Sequence, residues 1–170
     1  IGTWRARVDA VSGQVVEFVD ANEYAQAQGG VVLVQPSLGE TTRPVPFTNI
    51  TTGGFTNSAG VYTYTGVATT SSLNGQYVRA LDNCGAISLA ADPVGLLDFL
   101  SSPASDCSTP GFGGAGNTRS SRTQSYWVNR VKEVGRGWLP AVAWLSNQLT
   151  ANVNINSSVS ATFNINNVNK

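Results

Sequence analysis

Val31-Val32-Leu33-Val34, Val45-Pro46-Phe47-Thr48-Asn49-Ile50, Val61-Tyr62-Thr63-Tyr64-Thr65 and Gln76-Tyr77-Val78-Arg79-Ala80-Leu81 follow one another along residues 31–90, with Ala86-Ile87-Ser88-Leu89 as a shorter fifth run. Each is bounded by Gly, Pro, Asn or Ser. Short apolar runs at such regular spacing predict an antiparallel β-sandwich. Pro44 and Pro46 remove backbone donors, so their run belongs at a sheet edge. The expected fold class is mainly β with a small α part.

Outward from this block, residues 1–20 read as a hairpin. Thr3 to Asp9 alternates bulky and polar residues, Ser12-Gly13 turns, and Gln14 to Val19 returns. Residues 22–30 read as a connector ending in the Gly29-Gly30 pair. Pro93 to Leu100 is apolar enough for a buried helical turn or two. A loop follows over 101–123, with Gly111, Gly113, Gly114 and Gly116 at its centre; no Gly-Lys-Ser/Thr follows to make it a phosphate cradle.

Residues 124–137 carry the clearest helical period. Trp127, Val128, Val131, Val134 and Trp138 recur at three- and four-residue steps opposite Arg130, Lys132, Glu133 and Arg136. That pattern predicts an apolar face turned to the core and a charged face turned to water. Gly137 supplies a stop, and Pro140 opens a second helix over 141–149. The chain thus divides into a hairpin and connector (1–30), a β-sandwich with a disulfide-closed loop (31–107), a Gly-rich linker (108–123), and helices with a terminal strand (124–170).

The last segment alternates most strictly. Ala151, Val153, Ile155, Val159, Ala161, Phe163 and Ile165 take odd positions, and Asn, Ser and Thr take the even ones. A period of two predicts a half-buried long strand, or a hairpin turning near Asn156-Ser157-Ser158. No charge lies between Ala151 and Asn169, so the strand lacks the usual edge protection and needs a partner in this chain or another.

Composition narrows the chemistry. The 170 residues are 41% hydrophobic and 12% charged, with ten basic and ten acidic side chains and neither His nor Met. A chain without net charge offers no field for nucleic acid or an anionic membrane. The missing imidazole removes His-based triads, His general bases and His-ligated metals from these residues. No cofactor or metal site is expected. No apolar run reaches the length of a membrane span. Nine of the ten acids precede residue 107, whereas Arg119, Arg122, Arg130, Lys132 and Arg136 cluster around Glu133. This polarity suits a solvated helix face, or the seating of one half of the chain on the other or of one subunit on the next.

Cys84 and Cys107 enclose a Gly/Pro/Ser-rich stretch, and two cysteines without His do not make a zinc site. A disulfide between them is expected, worth about 3 kcal/mol through restriction of the unfolded chain. It implies an oxidising compartment and a secreted, extracellular protein. A start at Ile1 suggests a processed chain or a fragment. Asn49-Ile50-Thr51 and Asn156-Ser157-Ser158 are sequons for a host that glycosylates.

Three pieces resemble a known family. Trp4-Arg5-Ala6-Arg7-Val8-Asp9-Ala10-Val11-Ser12-Gly13-Gln14-Val15-Val16 resembles the closing hairpin of a PepSY-type pro-region in secreted metallopeptidase precursors. Residues 31–90 are similar to the small β-sandwich that some bacterial precursors place next. Residues 117–170, with Tyr126-Trp127-Val128-Asn129-Arg130-Val131-Lys132-Glu133, Arg136-Gly137-Trp138-Leu139-Pro140 and Gln148-Leu149-Thr150-Ala151-Asn152-Val153, resemble the start of a thermolysin/fungalysin-like zinc peptidase domain. The resemblance implies a substrate-binding edge strand at Val159, Ser160, Ala161, Thr162, Phe163, Asn164 and Ile165. That stretch matches the family's Asn-Ala-Phe-Trp-Asn-Gly only in part. The family's H-E-x-x-H motif is absent, so no catalytic residue carries over.

Two functions compete. One is a non-catalytic, extracellular assembly protein that pairs with other copies of itself by β-strand addition and can propagate as a filament. The other is the amino-terminal portion of a secreted zinc endopeptidase, its partner being the remainder of the precursor. A cell-surface or carbohydrate-binding module, with Tyr62, Tyr64 and Tyr77 exposed for stacking, is a third possibility. Paired carboxylates at Asp92 and Asp98 are a weaker fourth.

Overall fold

A computed structural model of the chain describes residues 4–99 and 116–155. In chain order the strands are β1 (Trp4–Val8), β2 (Val15–Asp20), β3 (Glu23–Val31), β4 (Thr41–Pro44), β5 (Val61–Tyr64), β6 (Thr70–Ser71), β7 (Val78–Asp82), β8 (Leu89–Ala90) and β9 (Leu97–Asp98). Helices α1 (Arg119–Trp138) and α2 (Ala143–Ser146) follow, and β10 (Leu149–Val153) comes after them. The architecture is mainly β with a small α part, as the sequence predicts.

The first hairpin forms as expected, with Trp4 opposite Asp20 and Ala6 opposite Phe18. Its turn is organised by Asp9, whose Oδ1 accepts from the backbone of Val11 at 3.0 Å and of Ser12 at 2.6 Å, while Gly13 takes a positive φ of 70°. Those hydrogen bonds, the one from Ser12 first, hold the Asp9 carboxyl below its ordinary pKa.

Residues 22–30 are not a connector. They form most of β3, the strand on which the largest sheet is built: β4 and β5 pair with it antiparallel, and β9 pairs with it parallel through Ala27 and Leu97. Its Gly29 is required by close packing, since a Cβ there would meet Phe99 Cβ at 3.0 Å and Arg122 Cδ at 3.3 Å. Small residues mark a strand under close neighbours, a signal that resembles a flexible linker in sequence.

The apolar run 45–50 is likewise not a strand; β4 lies just before it, at the sheet edge that the prolines dictate. Phe47 takes φ 55°, which breaks the extended backbone. Buried hydroxyls hold the segment instead: the Thr56 Oγ1 donates to Val45 O at 2.8 Å and accepts from Thr48 N at 3.0 Å. The stretch from Pro93, expected as helix, turns at Asp92 and enters β9 at Leu97; Leu100 lies outside the described residues. Asp92 Oδ1 accepts from Val94 N at 3.1 Å and Leu96 N at 2.7 Å, and Gly95 adopts φ 88°. Leu97 and Phe99 then alternate into the core around partly exposed Asp98.

The core gathers Ala27, Val45, Tyr62, Leu73, Leu97 and Phe99 with their neighbours. α1 lies across β3, β7 and β10, starting five residues before the expected 124, where Thr118 caps it by accepting from Ser121 N at 3.3 Å. α2 is a single turn, shorter than the expected helix over 141–149. β10 then pairs with β7 in parallel, from Leu149 beside Val78 to Val153 beside Asp82. β10 ends at Val153, and Asn154 adopts φ 52°; the rest of the alternating segment, from Asn156 on, lies outside the described residues.

Candidate functional site

α1 is packed the opposite way round from the sequence expectation. Its buried positions are Ser121, Arg122, Ser125, Asn129 and Lys132, all polar. Its apolar positions Trp127, Val131, Val134 and Trp138 face outward, with Val131 60% and Trp138 81% exposed. At 3.6 residues per turn these four form one stripe about 16 Å long, on the side opposite the buried polar row.

The inward polar row is held by strand and turn carbonyls. Arg122 donates through Nε to Gly30 O at 3.0 Å, through Nη1 to Asn117 O at 2.6 Å and through Nη2 to Glu40 Oε1 at 2.6 Å. Lys132 Nζ donates to Tyr77 O at 3.0 Å and also to Asn147 O. Burial, with Arg136 adding repulsion, pulls the Lys132 ammonium down to a pKa of about 8. Ser121 and Ser125 let the helix approach the sheet closely, so that these two long cations fit between them. A pattern of apolar spacing identifies which face is apolar; it does not identify what covers that face.

Asp82 ties three elements together at one end of this arrangement. Its carboxylate accepts from Cys84 N at 2.9 Å, from Asn154 Nδ2 at 3.0 Å and from the Thr118 hydroxyl. The ends of β7 and β10 and the start of α1 are thereby fixed to one another. Nothing in the sequence around Asp82 marks it for this position.

Beside the stripe lies a groove of about 370 Å³, lined by Val32, Pro36, Gln124, Trp127 and Val153 among others. Both amide atoms of Gln124 are buried and find no hydrogen-bond partner among the described residues. Trp127 Nε1 donates to Val32 O at 3.0 Å, which fixes its ring between groove and stripe. β10 forms the outer strand of its two-stranded sheet, with no second strand neighbour among the described residues.

The hairpin β1–β2 is the second bare surface. Every residue of β1 is exposed, and Phe18 on β2 is 64% exposed. The rings of Trp4 and Phe18 stack in parallel at 5.3 Å on one side of the ribbon. Arg7 and Glu17 pair at 3.5 Å on the other.

The expected site residues distribute as follows. Cys84 is buried and not free; Cys107 lies outside the described residues. The edge residues Val159, Ser160, Ala161, Thr162, Phe163, Asn164 and Ile165 lie outside them too, as does the second sequon at Asn156. The tyrosine platform is corrected: Tyr62 is buried, its hydroxyl donates to Gly95 O, and Tyr77 is covered by the Arg136 guanidinium at 3.5 Å. Asp92 serves the turn already described. Asn49 Oδ1 accepts from Ser72 N and Asn74 N, both at 3.1 Å, so this sequon residue organises a loop. Among the described residues no three Cys, Asp or Glu side chains converge as metal ligands, and no helix is long and apolar enough to cross a membrane.

The chain matches no protein-family model, no curated protein and no solved structure.

Proposed function

We propose that this is a non-catalytic, secreted assembly protein whose copies associate through surfaces that the described residues leave bare. The observation that carries the reading is the outward stripe of α1. A contiguous apolar surface of this kind on an otherwise folded chain marks an interaction site. The bare hairpin adds weight, because a two-stranded ribbon is marginally stable in water without a cover. The open edge of β10 is a place for strand addition, and the alternating Val159 to Ile165 segment is the strand expected to be added. The Cys84–Cys107 disulfide belongs to the same reading.

Sedimentation and electron microscopy of the purified chain test it. Particles or fibres built from 17.8 kDa units are expected. A chain that stays at that mass at high micromolar concentration would overturn it. Intact mass before and after reduction and alkylation reads the disulfide.

A second reading is favoured by the hairpin alone. As the closing ribbon of a PepSY-type pro-region it would be covered by the rest of a zinc peptidase precursor. Reading the gene beyond the codon for Lys170 tests this: an H-E-x-x-H motif within about 50 residues is the expected sign.

A further inference from the structure

The two bare surfaces fit each other, and we propose that the apolar side of the hairpin in one copy seats on the outward stripe of α1 in the next. This pairing rests on the assembly reading above and specifies its contact.

The register places Trp4, Ala6, Val8 and Phe18 on one side of the ribbon, with Asp20 at its end opposite Trp4, and Arg5, Arg7, Glu17 and Val19 on the other. Its apolar side is about 13 Å long at the rise of an antiparallel strand. The stripe from Trp127 to Trp138 is about 16 Å long. Both are narrow, both carry aromatic rings, and neither is covered by another element among the described residues: β1 and β2 pack on each other, and α1 packs on β3, β7, β10 and α2.

Charge favours the same partner. Between residues 4 and 23 the hairpin region carries Asp9, Glu17, Asp20 and Glu23 against Arg5 and Arg7. The stripe is flanked by Arg119, which also meets Glu40 at 3.7 Å, and by Arg130, which pairs with Glu133 at 2.7 Å; with Lys132 and Arg136 the helix still carries more cations than these two carboxylates. A second copy supplies exposed ribbon backbone as well as apolar side chains. The contact uses different surfaces on its two sides, so it propagates unless its rotation closes.

The test uses two full-length variants, Phe18→Glu, which spoils the hairpin side, and Val131→Glu, which spoils the stripe. Circular dichroism and thermal melting check that each stays folded. Each variant alone is expected at monomer mass where the unaltered chain assembles. Mixed in equal amounts they form a one-to-one complex, because the first keeps its stripe and the second its hairpin. A disulfide forming between copies that carry Ala6→Cys and Val131→Cys supports the same contact.

A mixture that stays monomeric while the unaltered chain assembles overturns the pairing and leaves the assembly reading standing. So does a Phe18→Glu variant that still assembles while a chain ending at Ser157 does not, which would put the 159–165 segment on the stripe instead. An unaltered chain that is itself monomeric overturns both.

Discussion

Glu40 Oε1 lies 2.6 Å from Arg122 Nη2, with both side chains almost wholly withdrawn from water. Arg122 joins the inner face of α1 to the end of β3, and Glu40 supplies its charge partner from the loop ahead of β4. Removing one member of a buried pair forfeits its attraction while the other charge stays desolvated. Glu40→Ala is therefore expected to cost about 3–5 kcal/mol. The double change Arg122→Met with Glu40→Leu should cost less than the single one. Urea unfolding midpoints compare the two; a single change no worse than the double one would contradict the assignment.

Lys132 gives the fold a pH dependence of unusual sign. Its proton leaves the folded chain at about 8, against 10.5 in the unfolded chain. Between those values unfolding takes up a proton, so stability rises with pH. The neutral amine keeps two N–H donors for the carbonyls of Tyr77 and Asn147. Tyr62 acts the other way: burial, then Tyr64 and Asp92, raise its phenol from 10.0 to about 12. The unfolded chain loses that proton first, so stability falls above about pH 10. The melting temperature is expected to climb from about pH 8 and turn over near 10. Lys132→Met should abolish the climb, and a flat profile in the unaltered chain would refute the coupling.

Much of this was legible from pattern alone. Alternation reveals the hairpin and β5 because each presents bulky side chains at every second position, and α1 is visible through the recurrence of Trp127, Val131, Val134 and Trp138. β3 is hidden because Ala25, Ala27, Gly29 and Gly30 are small, which at Gly29 suits the close approach of Phe99 and Arg122. β9 is hidden because an apolar octapeptide fits helix and strand equally until the Asp92 turn is known. The orientation of α1 could not be read at all. The stripe obeys the rule that apolar side chains seek cover, but no cover lies among the described residues, and the buried cations are satisfied by carbonyls remote in sequence.

Gly95 is the position where the turn into β9 admits no side chain. Its φ is +88°, and a Cβ would come within 2.7 Å of Tyr64 Cγ and 2.8 Å of Ala25 Cβ. Both neighbours sit in the sheet and cannot swing clear. Its carbonyl also accepts the Tyr62 hydroxyl. Gly95→Ala is expected to lower stability by about 2–3 kcal/mol, combining backbone strain with overpacking. Gly13→Ala, in open space at φ +70°, should cost only the strain. Equal losses at the two sites, by chemical denaturation, would argue against close packing at Gly95.

The reversed helix makes the sharpest demand on stability measurements. In an ordinary amphipathic helix, Val131→Ala would open a cavity and cost 2 kcal/mol or so. Here Val131 is 60% exposed, so at dilutions where the chain is monomeric the change should be neutral or gain a few tenths of a kcal/mol from the helix propensity of alanine. Ser125, by contrast, is 1% exposed against the sheet, and Ser125→Leu must push α1 away, with a loss of about 1–3 kcal/mol. Unfolding midpoints of the two variants decide the orientation directly. If Val131→Ala destabilises the monomer while Ser125→Leu is tolerated, α1 is turned with its valines inward, and the bare stripe on which the assembly depends does not exist.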